Sequence, residues 1–374
     1  MHNLKKTSRR MILPLVAVVL SVFCLVWAND SFAADLKAPK TLNDLIEAAK
    51  KETTLRAMWS ASSLNGSDGM ARIVAGMNKT YGTNIKTQFT PGPSMTRMMG
   101  KLARELKAGQ PASTDVVWGN SGGMLRSSQL GLTRSMNWMA YLRRPMLKEK
   151  GFDPVATGGV GLATASTLVG VAYNSKLVKG DDIPRSLADT LNPKWKGKIA
   201  STPYAAGMRE FAMPDLLGKE AMISFTKKLS KQVSGLMRCG QMNRLTSGEF
   251  LMLVLSCGDQ YINKAMRTGE PLGYALMSDA VVSHTRYGSV PVHSKAPYSA
   301  ALFIVYLHTL EGQKLMWEIN GLDFHLYPES HQKKTLDAAR ARGARLVTNS
   351  PQWLGKNKTY RKTRKVLEKI LKQN

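Results

Sequence analysis

"KLARELKAGQPASTDVVWGNSGG" (residues 101–123) carries the transition on which the fold turns. Apolar side chains at helical spacing give way, across a polar spacer, to Val116, Val117 and Trp118. The chain then breaks into glycine, asparagine and serine. A buried strand looks like this when it delivers a loop to a surface, and "SGGMLRSSQLG" reads as the next helix. Upstream, "TLRAMW" and "NIKTQFT" read as strands with the helical "DGMARIVAGMNKTYG" between them. Before them "TLNDLIEAAKKE" opens on a cap-like Thr41, with Leu42, Leu45, Ile46 and Ala49 on one face. Strand and helix alternate, which predicts an α/β sheet with crossover connections.

Downstream, "GVGLATASTLVGVAYNSKLV" (residues 159–178) is two strand-like stretches back to back, long enough to cross between two lobes. "KIAS", "PLGYALMSD" and "YGSVPVHS" read as further strands. "YSAALFIVYLHTLEGQKLMWEINGL" reads as a helix pair broken at Glu311–Gly312. The tail is predicted to be an amphipathic helix with Val366, Leu367, Ile370 and Leu371 on one face. At 374 residues the chain is long enough for two lobes, each with its own core.

The first thirty-odd residues read as an export address. Lys5, Lys6, Arg9 and Arg10 precede the apolar run Met11–Ala28, and Ser31-Phe32-Ala33 suits cleavage after Ala33. "SRRMIL" leaves general and twin-arginine export both open. An uncleaved anchor is the rival, since the run just spans a bilayer. The formal charge is +27, and loss of four basic and one acidic side chain with residues 1–33 leaves +24. In an exported chain, with the charge spread along the sequence, this argues for a surface property and against nucleic acid. Cys239 and Cys257 remain after cleavage. In an oxidising compartment they could pair, or stay as two separate buried thiols.

The ordered set "KLARELKAGQPASTDVVWGN", "GLTRSMNW", "VGVAYNSKLV", "IPRSLADTLNPKWKGKIA" and "APYSAALFIVYLHTLEGQKLMWEINGL" resembles the bacterial periplasmic solute-binding proteins of ABC importers. The likeness runs over roughly Leu55–Tyr327. It is strongest to the group containing ferric-ion-binding and 2-aminoethylphosphonate-binding proteins. The resemblance implies an α/β fold of two lobes (type II) joined by crossover strands, with the ligand cleft between them. On that basis lobe 1 is expected at 34–165 with 278–322, and lobe 2 at 166–277 with 323–374. It also implies a monomer that hands a small solute to a permease, with no catalysis and no cofactor.

Loops after strands in open α/β sheets face the ligand. Four follow the strands expected here. Ser60, Ser62 and Ser63 form the first; Trp118, Asn120 and Ser121 the second; Thr202 and Tyr204 the third; Asp279 the fourth. Trp59, Trp118 and Tyr204 could supply apolar walls, and Arg97 and Arg209 lie near the cleft in sequence. A turn or helix-cap role is the plain alternative for each polar residue.

Relatives that bind ferric ion use His, Glu and a tandem Tyr pair. Ser63 and Asn120 stand nearest the first two positions, and "SCGDQYINK" offers only Tyr261. Hard Fe³⁺ favours anionic oxygen donors, so these residues point to a polar or anionic organic solute. A zinc hydrolase lacks its histidine spacing, and "GNSGG" lacks the acidic residue of a serine-protease motif. An envelope contact through the basic tail is a third class.

Overall fold

Leu55, Ala57 and Trp59 alternate inward along β1 (Thr54–Trp59), which pairs in parallel with β2 (Lys86–Pro91). The helix Gly66–Tyr81 makes the crossover, burying Met70, Ile73, Val74 and Met77. A parallel bridge from Ala57 to Val116 brings β3 (Val117–Asn120) alongside. The computed structural model describes residues 39–373, so the expected export signal and cleavage after Ala33 lie outside the described residues.

The expected pair of back-to-back strands is β4 (Leu162–Val169) and β5 (Val171–Asn174), divided at Gly170. A Cβ there would meet Ala275 O at 2.4 Å, so only glycine lets the two backbones approach this closely. Next come β6 (Ile199–Ser201), β7 (Val233–Leu236), β8 (Met252–Leu253) and β9 (Leu272–Ala275). With β5 they form a second sheet of order β7-β6-β8-β5-β9. Then β10 (Val281–Ser289) runs antiparallel to β3 and to β4, and β11 (Leu346–Asn349) pairs in parallel with its first half.

Thus β4 and β10 run together out of the first region, and β5 continues into the second sheet. One core surrounds Trp59, Trp118 and Phe303, and another surrounds Trp195, Phe211 and Leu229.

Three element boundaries differ from expectation. The helix pair breaks at 307–309, between Pro297–Tyr306 and Leu310–Asn320, because Thr309 caps the second helix by accepting from Gly312 N–H at 2.9 Å. Glu311 and Gly312 therefore lie inside its first turn. The strand expected at "YGSVPVHS" begins earlier, at Val281, and ends at Ser289. In the tail, Tyr360–Leu371 is helical, but Thr363, Leu367 and Leu371 form the buried face and Val366 is 40% exposed. That face packs against the helix Lys219–Ser230, so the tail is part of the second core.

Candidate functional site

Thr167, His284, Arg286 and Asn120 lie on one face of the sheet formed by β3, β10 and β4. Residues directly opposite across antiparallel strands project to the same side, and Arg286 stands opposite Asn120 on β3 and Ala165 on β4. The β4–β10 register shifts beside Arg286, leaving Thr164 as an extra residue. Such bulges re-aim neighbouring side chains.

The loop after β8 lies over this face. Thr167 Oγ1 donates to Cys257 O at 3.4 Å, and His284 Nδ1 lies 3.2 Å from the same carbonyl. Leu168 N–H donates to Asp259 Oδ1 at 3.1 Å. A Cβ on Gly258 would meet Thr167 at 2.4 Å, and its φ of +130° lies where side chains are rarely tolerated. Leu255, with φ of 54°, and Ala205 in the loop after β6, with φ of 47°, are held in the left-handed region. Strain of this kind persists where the surroundings enforce it, commonly at ligand-facing loops.

A Cys239–Cys257 disulfide ties the segment after β7 to the loop after β8. Tyr204 sits on it. Its hydroxyl accepts from Cys239 N–H at 2.9 Å and lies 3.5 Å from Cys257 Sγ.

The remaining candidate residues are distributed as follows. Asn120 is the N-cap of the helix Ser121–Leu130, its Oδ1 accepting from Gly123 N–H at 2.9 Å. Its Nδ2 has no partner among the described residues. Ser121 is buried and its hydroxyl donates to Asn349 O. Trp118 and Trp59 are core residues, 3% and 2% exposed, and support their loops from behind. Ser60 Oγ and Ser62 Oγ lie 3.0 Å apart, and Ser63 follows in a short helical turn. Thr202 is buried with its hydroxyl accepting from Ala206 N–H, which makes it a loop brace. Asp279 Oδ2 accepts from Leu187 N–H at 2.8 Å, a link between two segments of the second region. Asn120 and Tyr204 are the candidates with clearest access to the shared face.

Arg209, expected near the cleft, instead pairs with the neighbouring Glu210 and stacks on Tyr360. Glu210 is fully buried and accepts from His284 Nε2 (2.8 Å), Asn349 Nδ2 (3.0 Å) and the Tyr360 hydroxyl (2.7 Å). Burial alone would raise its carboxyl. The Arg209 charge and the His284 contact outweigh that and hold it far below the usual carboxylate range.

Sequence reasoning passed over His284 and Arg286. The available signal was "VVSHTRYGS", where polar residues alternate through an apolar strand.

Asp259 is the opposite case to Glu210. Burial raises its carboxyl to about 7, only partly offset by the Leu168 N–H and the Asn263 side chain. The folded chain therefore keeps a proton that the unfolded chain releases from about pH 4 upward. This costs stability progressively as pH rises to about 7, and the cost is constant above that. Asp259→Asn is accordingly expected to stabilise the fold at pH 8 relative to pH 4.5, when urea midpoints are compared with wild type. An equal effect at both pH values would refute the assignment.

The loop after β8 thus lies against the crossover strands β4 and β10, the arrangement in which open α/β sheets present strand-end loops to ligands. The chain belongs to the bacterial extracellular solute-binding proteins, whose family model matches residues 72–324. It is similar to the Fe(3+)-binding periplasmic protein of Serratia marcescens, 26% identical over 219 residues, a match covering 53% of this chain and 62% of that protein. The fold is shared with iron-bound HitA from Pseudomonas aeruginosa at TM-score 0.62 and 17% identity, covering 84% of this chain and 99% of HitA. It is also shared with AfuA from Actinobacillus pleuropneumoniae, solved with fructose-6-phosphate, at TM-score 0.63 and 18% identity, covering 86% and 100%. The architecture is the two-lobed type II periplasmic-binding-protein fold.

Proposed function

We propose that this protein binds a small polar or anionic solute between its lobes and delivers it to the permease of an ABC importer. It acts as an exported monomer, without nucleic acid and without chemical turnover. The division into lobe 1 (34–165 and 278–322) and lobe 2 (166–277 and 323–374) is part of the same proposal. The observation that carries it is the placement of Asn120, Arg286, His284 and Thr167 on one face of the β3–β10–β4 sheet, with the loop bearing Cys257 lying against that face. A sheet face lined by hydrogen-bonding side chains suits a small polar ligand.

Ferric ion is the second reading, favoured by the name of the Serratia relative. The donor chemistry supports it poorly. Ser63 and Asn120 are neutral, and no group of three or more His, Cys, Asp or Glu residues suited to a metal ion occurs among the described residues.

A hydrolase reading also has weak support. Ser166, His325 and Glu149 have the composition of a triad, with contacts of 2.8 Å on either side of the imidazole. Ser166 is fully buried, however, and its hydroxyl donates to Gln332 Oε1 at 2.8 Å. It lies on β4 and ties that strand to the helix His331–Ala341.

Thermal unfolding in the presence of organic acids, phosphonates, sugar phosphates, amino acids, polyamines and ferric citrate tests the proposal. One class should raise the melting temperature, with no loss of the solute over time. Asn120→Ala should abolish that rise, and should also cost about 1 kcal/mol in the unliganded protein through the lost cap. Binding that survives Asn120→Ala at full strength would reduce Asn120 to a helix cap. A shift with ferric ion alone would overturn the organic-solute reading.

A further inference from the structure

We propose that Arg286 is the anion-recognising residue of the cleft, and that the solute carries a carboxylate, phosphonate or phosphate group that pairs with it. This rests on the solute-binding reading and narrows it to oxyanions.

Other partly buried arginines of the described chain are spoken for. Arg56 pairs with Asp115, Arg144 with Glu329, Arg209 with Glu210 and Arg244 with Glu249. Arg134 and Arg345 donate to backbone carbonyls. Arg286 is as enclosed as these, yet no hydrogen bond or ion pair reaches its guanidinium among the described residues. Arg286 is half-buried and its guanidinium still reaches solvent, so its charge is open to an anionic ligand without a protein counter-charge competing for it. Burial does depress the Arg286 pKa from its ordinary value, partly offset by Tyr261 and Asp259. An arginine nevertheless remains charged at neutral pH.

Two further donors lie beside it with nothing to donate to. Asn120, directly opposite on β3, uses Oδ1 as a helix cap and leaves Nδ2 free. Tyr261, close enough to act on Arg286 electrostatically, has a hydroxyl without a partner among the described residues. Asp259 is the nearby carboxyl that could have neutralised Arg286, but its Oδ1 is held by Leu168 N–H and no ion pair with Arg286 forms. On the other side, His284 is turned to Glu210 and Cys257 O. What remains is a set of donors: a guanidinium fork, an amide and a phenol. The fork's planar geometry matches two oxygens of one carboxylate or phosphate group. The Arg286 charge would repel a cationic solute at this point.

The test is isothermal titration of the protein in its exported form. The probes are succinate and malate for carboxylates, methylphosphonate and glucose 6-phosphate for phosphorus oxyanions, and glucose and spermidine as neutral and cationic comparators. At least one oxyanion should bind, and the arm that responds identifies carboxylate or phosphorus as the source. Arg286→Met should weaken that binding at least about thirtyfold, and Arg286→Lys, which keeps the charge but loses the fork, should fall between. Asn120→Asp keeps a cap acceptor and sets a carboxylate opposite Arg286, so it should abolish oxyanion binding with the fold intact by circular dichroism. If glucose or spermidine binds and Arg286→Met keeps that affinity within about threefold, the inference is overturned while the cleft reading stands. If no probe of any charge binds wild type, both are overturned.

Discussion

Glu210→Ala is expected to destabilise the protein by about 3–5 kcal/mol, the range found when one member of a buried charged pair is removed. The carboxylate is fully buried and holds four groups from different parts of the chain: Arg209, His284 on β10, Asn349 on β11 and Tyr360 on the C-terminal helix. Alanine would strand the Arg209 charge and leave the Tyr360 hydroxyl and Asn349 amide without their acceptor. Each unmet buried group adds about 1–3 kcal/mol, although relaxation toward water reduces the sum. Glu210→Gln retains an acceptor oxygen but loses the charge, so it should cost less. Urea midpoints give both values. A loss under about 1 kcal/mol for the alanine variant would show that the network is not held through Glu210. Limited proteolysis adds a local readout, because the tail helix Tyr360–Leu371 should become cleavable before the rest.

The second large effect is expected from the disulfide. Replacing Cys239 and Cys257 together by serine should cost about 3 kcal/mol, the chain-entropy value for a loop of this length. The separation is 18 residues. Dithiothreitol should lower the wild-type urea midpoint by a similar amount and leave the double variant unchanged. Solute affinity should also fall, because the Tyr204 hydroxyl is positioned by Cys239 N–H and lies against Cys257 Sγ. A wild-type midpoint indifferent to reductant would remove the disulfide from the account.

These two sites show different degrees of legibility in the sequence. The disulfide needed only two cysteines and an oxidising address to be raised as a possibility, and three-dimensional proximity then paired them. Glu210 offered no such cue, since its partners come from positions 209, 284, 349 and 360. Arg209 illustrates the hazard. Its place after a strand-end loop suggested the cleft, but its neighbour Glu210 and the ring of Tyr360 take it up. Polar side chains at strand ends were the least legible. Ser121, Thr202 and Asp279 all sit in strand-end loops, as expected, yet each polar group is used inside the protein.

The sequence by itself determined the alternation of strand and helix and the ordered segments that mark a two-lobed binding protein. Those features are local: apolar spacing, caps and turns act within a few residues. Tertiary structure decided that β10 lies between β3 and β4, more than a hundred residues upstream of it. That pairing sets Arg286 opposite Asn120. It also decided which polar groups are used up and which remain free. Register and burial set those outcomes, and both depend on contacts between distant segments.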